Sequence, residues 1–140
     1  RFLVSFRKKH VVFRRRGWFQ GRPIFGKGVG DIGWFMPGGE EMSEGDWSSS
    51  VQSFAMFLNG EGMMCTDSRG NRITDDSYYL LLNPHHERVS FNLPGEHWGK
   101  RWLKALDTNE DLPREGDSSV RAGQVLDVEA RSMVVLRRVE

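Results

Sequence analysis

Residues of several chemical types occur in arrangements that could do chemistry. The stretch GVGDIGWFMPGGEEMSEGDW (28–47) satisfies G-x-G-x-x-G through Gly28, Gly30 and Gly33. A dinucleotide site of that form needs a helix opening directly after the glycines, so that backbone N–H groups face a pyrophosphate. Trp34, Phe35, Pro37, Gly38 and Gly39 follow instead and cannot begin a regular helix. No cofactor is expected. Adjacent His85 and His86, if on a strand, point to opposite faces and cannot easily share an ion; His10, His97 and Cys65 have no close partner in sequence, so no metal is expected either. Glu40–Glu41 and Asp75–Asp76 are available as carboxylate pairs for acid–base work on a glycosidic bond. Tandem acids on loops are usually solvated, and Asp75 and Asp76, just before a strand, fit better as turn or backbone caps. No G-x-S-x-G is present, and catalysis within this chain is not expected. The five tryptophans include Trp34 and Trp98, candidate contacts for a sugar ring, although filling a sandwich edge is the commoner use of an indole.

Charge divides the chain. Residues 1–30 hold nine Lys/Arg and no acid, whereas the remainder is strongly acidic, so that the net charge is only +1. Arg14–Arg16 with Trp18 or Phe19 could grip a nucleic acid. The acidic body repels a polyanion, and the apolar residues of the same segment seek a protein surface; no nucleic acid is expected. No apolar run approaches the roughly 18 residues of a membrane span, and no signal peptide is expected. A single cysteine fits a reducing compartment, here the cytoplasm.

The elements that must position these residues read as one helix followed by strands. In RFLVSFRKKHVVFRRRGWFQG (1–21), Leu3, Phe6, His10 and Phe13 recur at helical spacing until Gly17 and Gly21. The run starts without a cap, as a helix does when its beginning lies in a larger structure. From residue 31 the pattern is β: 51–59 with apolar residues on both faces, 78–83, 88–94 with Val89, Phe91 and Leu93 on one face, 101–107, 124–130 and 132–138. DSRGN (67–71) reads as a turn and 107–119 as an acidic loop. Short strands at this spacing predict an all-β antiparallel sandwich.

Six segments carry a resemblance in order and spacing over nearly the whole chain: FRKKHVVFRRRGWFQG (6–21), DIGWFMPGGEEMSEGDW (31–47), SFAMFLNGEG (53–62), DDSYYLLLNPHHERVSFNLP (75–94), WGKRWLKALDT (98–108) and ARSMVVLRR (130–138). Together they resemble the C-terminal end of isoamylase-type glycogen debranching enzymes of bacteria and archaea, in the α-amylase superfamily. Val11, Gly38 and Arg88 depart from the family pattern without removing a core position. The resemblance implies an amylase-type C-terminal β-sandwich, residues 24–140, preceded at 1–23 by the end of the last helix of a (β/α)₈ barrel and a linker. It implies a parent that hydrolyses α-1,6 branch linkages of glycogen with acids carried on that barrel, and a non-catalytic packing role here. Leu3, Phe6, Phe13, Trp34 and Trp47 are then the expected contacts to the barrel. Glucan held by Trp34 and Trp98 is the alternative, and self-association through an uncovered helix is a further expectation.

Overall fold

The computed structural model describes residues 1–22, 28–110 and 118–140. The expected boundary at 23/24 and the middle of the acidic loop lie outside them. Among the described residues, eight strands form two antiparallel sheets: β1 (Ile32–Phe35), β2 (Phe54–Leu58), β3 (Tyr78–Asn83), β4 (Val89–Asn92), β5 (Arg101–Asp107), β6 (Ser119–Arg121), β7 (Val125–Val128) and β8 (Ser132–Arg138). The large sheet runs β1-β2-β3-β8-β5-β6, and β4 pairs with β7 in the small one. The fold is therefore the all-β antiparallel sandwich the sequence predicts.

Period-two alternation explains both layers of core. Ala55 and Phe57 of β2, Tyr79 and Leu81 of β3, and Val134 and Leu136 of β8 point inward; they meet Phe91 and Val128 of the small sheet. Trp98 and Trp102 fill the space between, with Trp98 edge-on to Phe35 and Phe57 at 5.0 and 5.2 Å. Gly33 leaves room for that indole, since a Cβ there would lie 3.1 Å from the Trp98 ring. The intervening residues, Leu58, Tyr78, Leu80 and Val135, form a second core on the outer face of the same sheet. β5 joins it through Ala105 and Leu106, because a register shift after Lys104 turns both to that side.

Asn83 ties the end of β3 to the rest. Its amide reaches the carbonyls of Glu87, Val128 and Glu129, while its oxygen accepts from the Ser53 hydroxyl and the His85 N–H. A fully satisfied buried amide of this kind fixes register as well as stability.

The outer core is closed at one end by the N-terminal segment, which departs from the predicted continuous helix. Helix α1 spans only Phe2–Lys9, His10 is extended, and a 3₁₀ turn covers Val11–Arg14. The break comes seven residues before Gly17 because Asp75 captures this point of the chain: its Oδ2 accepts the Val12 N–H at 3.0 Å, and its Oδ1 lies 3.1 Å from His10 Nδ1. The strand β1 was hidden in a stretch that reads as loop. Its hairpin turns at Gly39, where φ is +94°, and closes through the Phe35–Glu41 bridge.

Candidate docking surface

The inner face of the large sheet is covered along its length by β4, β7 and the tryptophans. Its outer face is covered unevenly. At the Tyr78 end, Phe6 and Phe13 pack on the Tyr78 ring at 5.6 and 4.8 Å, and Val12 is fully buried. At the other end, Phe54 and Met56 of β2, Leu82 of β3 and Met133 of β8 remain half-buried, with Trp34 of β1 beside them. A shallow cleft of about 450 Å³ opens there between Phe54, Leu82, Pro84, Thr108 and Met133. Single exposed apolar residues are ordinary on a soluble protein, but a contiguous apolar sheet face is the mark of an interaction site.

The five expected contacts thus separate. Phe6 and Phe13 are engaged with this chain's own sheet. Leu3 is 57% exposed and its neighbours Phe2 and Val4 are also open, since α1 buries no residue. Trp34 and Trp47 meet edge-to-face at 5.2 Å, and Phe54 lies 5.9 Å from Trp34. Trp47 is 56% exposed and sits on a single helical turn, α2 (Glu44–Trp47), that starts with a capping box: the backbone N–H and hydroxyl of Ser43 both donate to Asp46. Those bonds hold the Asp46 carboxyl below its ordinary range. Trp98 needs correcting as a sugar contact. It is 6% exposed, its ring enclosed by Phe35 and Phe57, so no pyranose can lie on it.

Two acids matter that sequence reasoning did not single out as partners of the basic head. Asp31 is wholly buried and forms a 3.0 Å ion pair with Arg15 while accepting the N–H groups of Gln20 and Gly21. Arg15 in turn donates to the carbonyls of Gly17 and Trp18 and stacks on Phe19 at 4.2 Å. An Asp flanked by glycines, 16 residues from its partner, carries no periodic signal. Asp75, read as a cap, does cap, but a segment 63 residues away.

Metal-type ligand atoms converge in two places among the described residues: His85, His86 and Glu87, and His10, Asp75 and Asp76. The two adjacent imidazoles do not diverge as strand geometry would require, because they occupy a bend after β3; their rings lie 4.2 Å apart. Nδ1 of His85 already accepts the Glu87 N–H. In the second group His10 Nδ1 is shared between Asp75 and the Tyr78 hydroxyl, and Asp76 faces Arg137 at 3.4 Å. No helix among the described residues is long and apolar enough to cross a membrane.

Comparison with known proteins agrees with this architecture. The family model described as isoamylase, C-terminal, matches residues 31–137. Proteins of Mycobacterium tuberculosis and Mycobacterium bovis, each named glycogen operon protein GlgX homolog, are 41% identical to this chain over 140 residues. The alignment takes in 99% of this chain but only 19% of theirs, so the chain spans a minor part of the length of the curated relatives it matches. With the match running from the start of β1 almost to the end of β8, the chain belongs to the isoamylase C-terminal domain family.

Proposed function

We propose that this chain serves as the non-catalytic C-terminal domain of a glycogen debranching hydrolase acting on α-1,6 branch linkages in the cytoplasm. Its role is to pack on and stabilise the catalytic barrel of the same polypeptide. The observation that carries this reading is the half-covered outer face of the large sheet, together with the exposed apolar residues of α1. The relatives, which are much longer and named for a glycogen operon, support the identity of the occupant. Leu3, with Phe2 and Val4, supplies one part of the contact; Trp34, Trp47, Phe54 and Leu82 supply the other. The acids that cleave the linkage belong to the barrel.

The test is to express the upstream polypeptide separately, add this chain, and measure hydrolysis of branch points in glycogen. Restored or raised activity on addition supports packing; two species that never associate would refute it. This chain alone should release no reducing ends above blank.

Exposure of Trp47 favours a second reading, glucan binding. Its ring is nearly perpendicular to that of Trp34, at 78°. Two indoles so disposed form a corner, which suits a protruding apolar side chain better than a run of flat sugar rings. Titrating tryptophan fluorescence with glycogen or maltoheptaose separates the two. A saturable shift abolished by Trp34→Ala or Trp47→Ala would establish the glucan reading.

A further inference from the structure

We infer that Asp31 and Asp75 are two grips by which the sandwich holds residues 10–21 as a strap over its outer face, and that this strap fixes the direction in which α1 is presented to its partner. This rests on the reading that the upstream part of the polypeptide packs on α1. Each carboxylate belongs to the sandwich by position: Asp31 opens β1 and Asp75 precedes β3. Each accepts at least one backbone N–H and a side-chain donor from the strap. At Asp75 these are the Val12 N–H (3.0 Å) and His10 Nδ1 (3.1 Å); at Asp31 they are the Gln20 N–H (3.0 Å), the Gly21 N–H (2.9 Å) and the Arg15 guanidinium (3.0 Å). A carboxylate only accepts, so every one of these bonds runs from strap to sandwich.

Burial makes the grips selective. Asp31 and Arg15 have side chains 0% and 5% exposed, and those of His10 and Asp75 are 5% and 12% exposed. Charge-assisted bonds shielded from water are the strong ones, and a buried donor left without its acceptor is costly. Between the grips Val12 is fully buried and Phe13 lies on Tyr78, so the strap is also packed. Beyond the first grip the attachment changes character. Residues 2–9 bury no side chain and reach the sheet through Phe6 alone among their described ring contacts. The strap is thus held to the sandwich from His10 onward, and α1 is the element it offers outward. Asp31 and Asp75 are positioning residues for that contact.

Asparagine tests the grips at constant shape. Both oxygens of Asp31 face donors, as do both of Asp75, which also accepts the Asp76 N–H, so an amide NH₂ meets another donor in either orientation. Amide hydrogen exchange on the whole chain should show Val12 and its neighbours exchanging roughly tenfold or more faster in Asp75→Asn, and Gln20 and Gly21 doing so in Asp31→Asn. Amides of β2, β3 and β8 should keep their wild-type rates. The ¹⁵N shift of His10 Nδ1 should move in Asp75→Asn and stay put in Asp31→Asn. Where Asp31→Asn does not fold, Arg15→Gln opens the same grip from the strap side. Unchanged strap exchange, or acceleration spread evenly over all strands, would overturn the inference. In the association assay with the upstream polypeptide, Asp75→Asn should weaken binding at least about tenfold. If wild-type chain does not bind there, the packing role fails, while exchange still decides the grips.

Discussion

Glycine positions set the tightest constraints at the scale of single residues. A Cβ on Gly60 would fall 2.2 Å from the carbonyl oxygens of both Asp75 and Asp76, and neither backbone can withdraw without disturbing the grip on Val12. Gly60→Ala should therefore cost about 3 kcal/mol or more, at the upper end of overpacking substitutions, as read by urea unfolding. The tryptophans divide by burial. Trp98→Ala empties a site between Phe35 and Phe57 and should lower stability by about 3–5 kcal/mol. Trp47→Ala removes one edge contact and should cost about 1 kcal/mol. Tyr79 adds an alkaline signature. Burial pushes its hydroxyl well above the ordinary 10, so the folded state is favoured below that value and the advantage is lost as pH rises beyond it. Tyr79 should thus ionise only as the sandwich opens, in a 295 nm absorbance titration.

Legibility differed sharply between elements. β3, β5 and β8 fall on the stretches read as strands, because uninterrupted apolar runs and period-two alternation are local properties of the chain. β4 likewise shows Phe91 and Leu93 inward, with Ser90 and Asn92 exposed. β6 and β1 were not legible: three residues of β6 follow an acidic loop, and β1 is framed by glycines that also serve turns. The helix was legible as a type but not in extent, since its end is imposed by Asp75, far along the sequence. The same reason hides the Arg15–Asp31 pair, and with it half of what anchors the candidate surface. At α2, the Ser43 bonds depress the Asp46 carboxyl. A depressed value contributes stability that is present above the ordinary 3.8 and lost as pH falls through the folded value. Acidification through that range should loosen the turn beneath Trp47, seen as a change in tryptophan emission that Asp46→Ala removes.

At the scale of the whole molecule, the large sheet has two apolar faces, of which the described residues cover the inner one fully and the outer one in part. Its basic head is not a uniform patch: Arg15 is spent inside on Asp31, while Arg7, Lys8, Lys9, Arg14 and Arg16 are outside with the exposed side of α1. Alone in solution, the uncovered Leu3 and Val4 should drive weak self-association, giving a mass by light scattering that rises with concentration and becomes monomeric in a Leu3→Asp, Val4→Asp variant. The most direct measurement is the affinity of this chain for its separately expressed upstream polypeptide, wild type against that same double variant. The account predicts saturable binding that the variant loses, with its own unfolding midpoint nearly unchanged because neither side chain is buried. Absence of binding by the wild type, or equal binding by both, would contradict it.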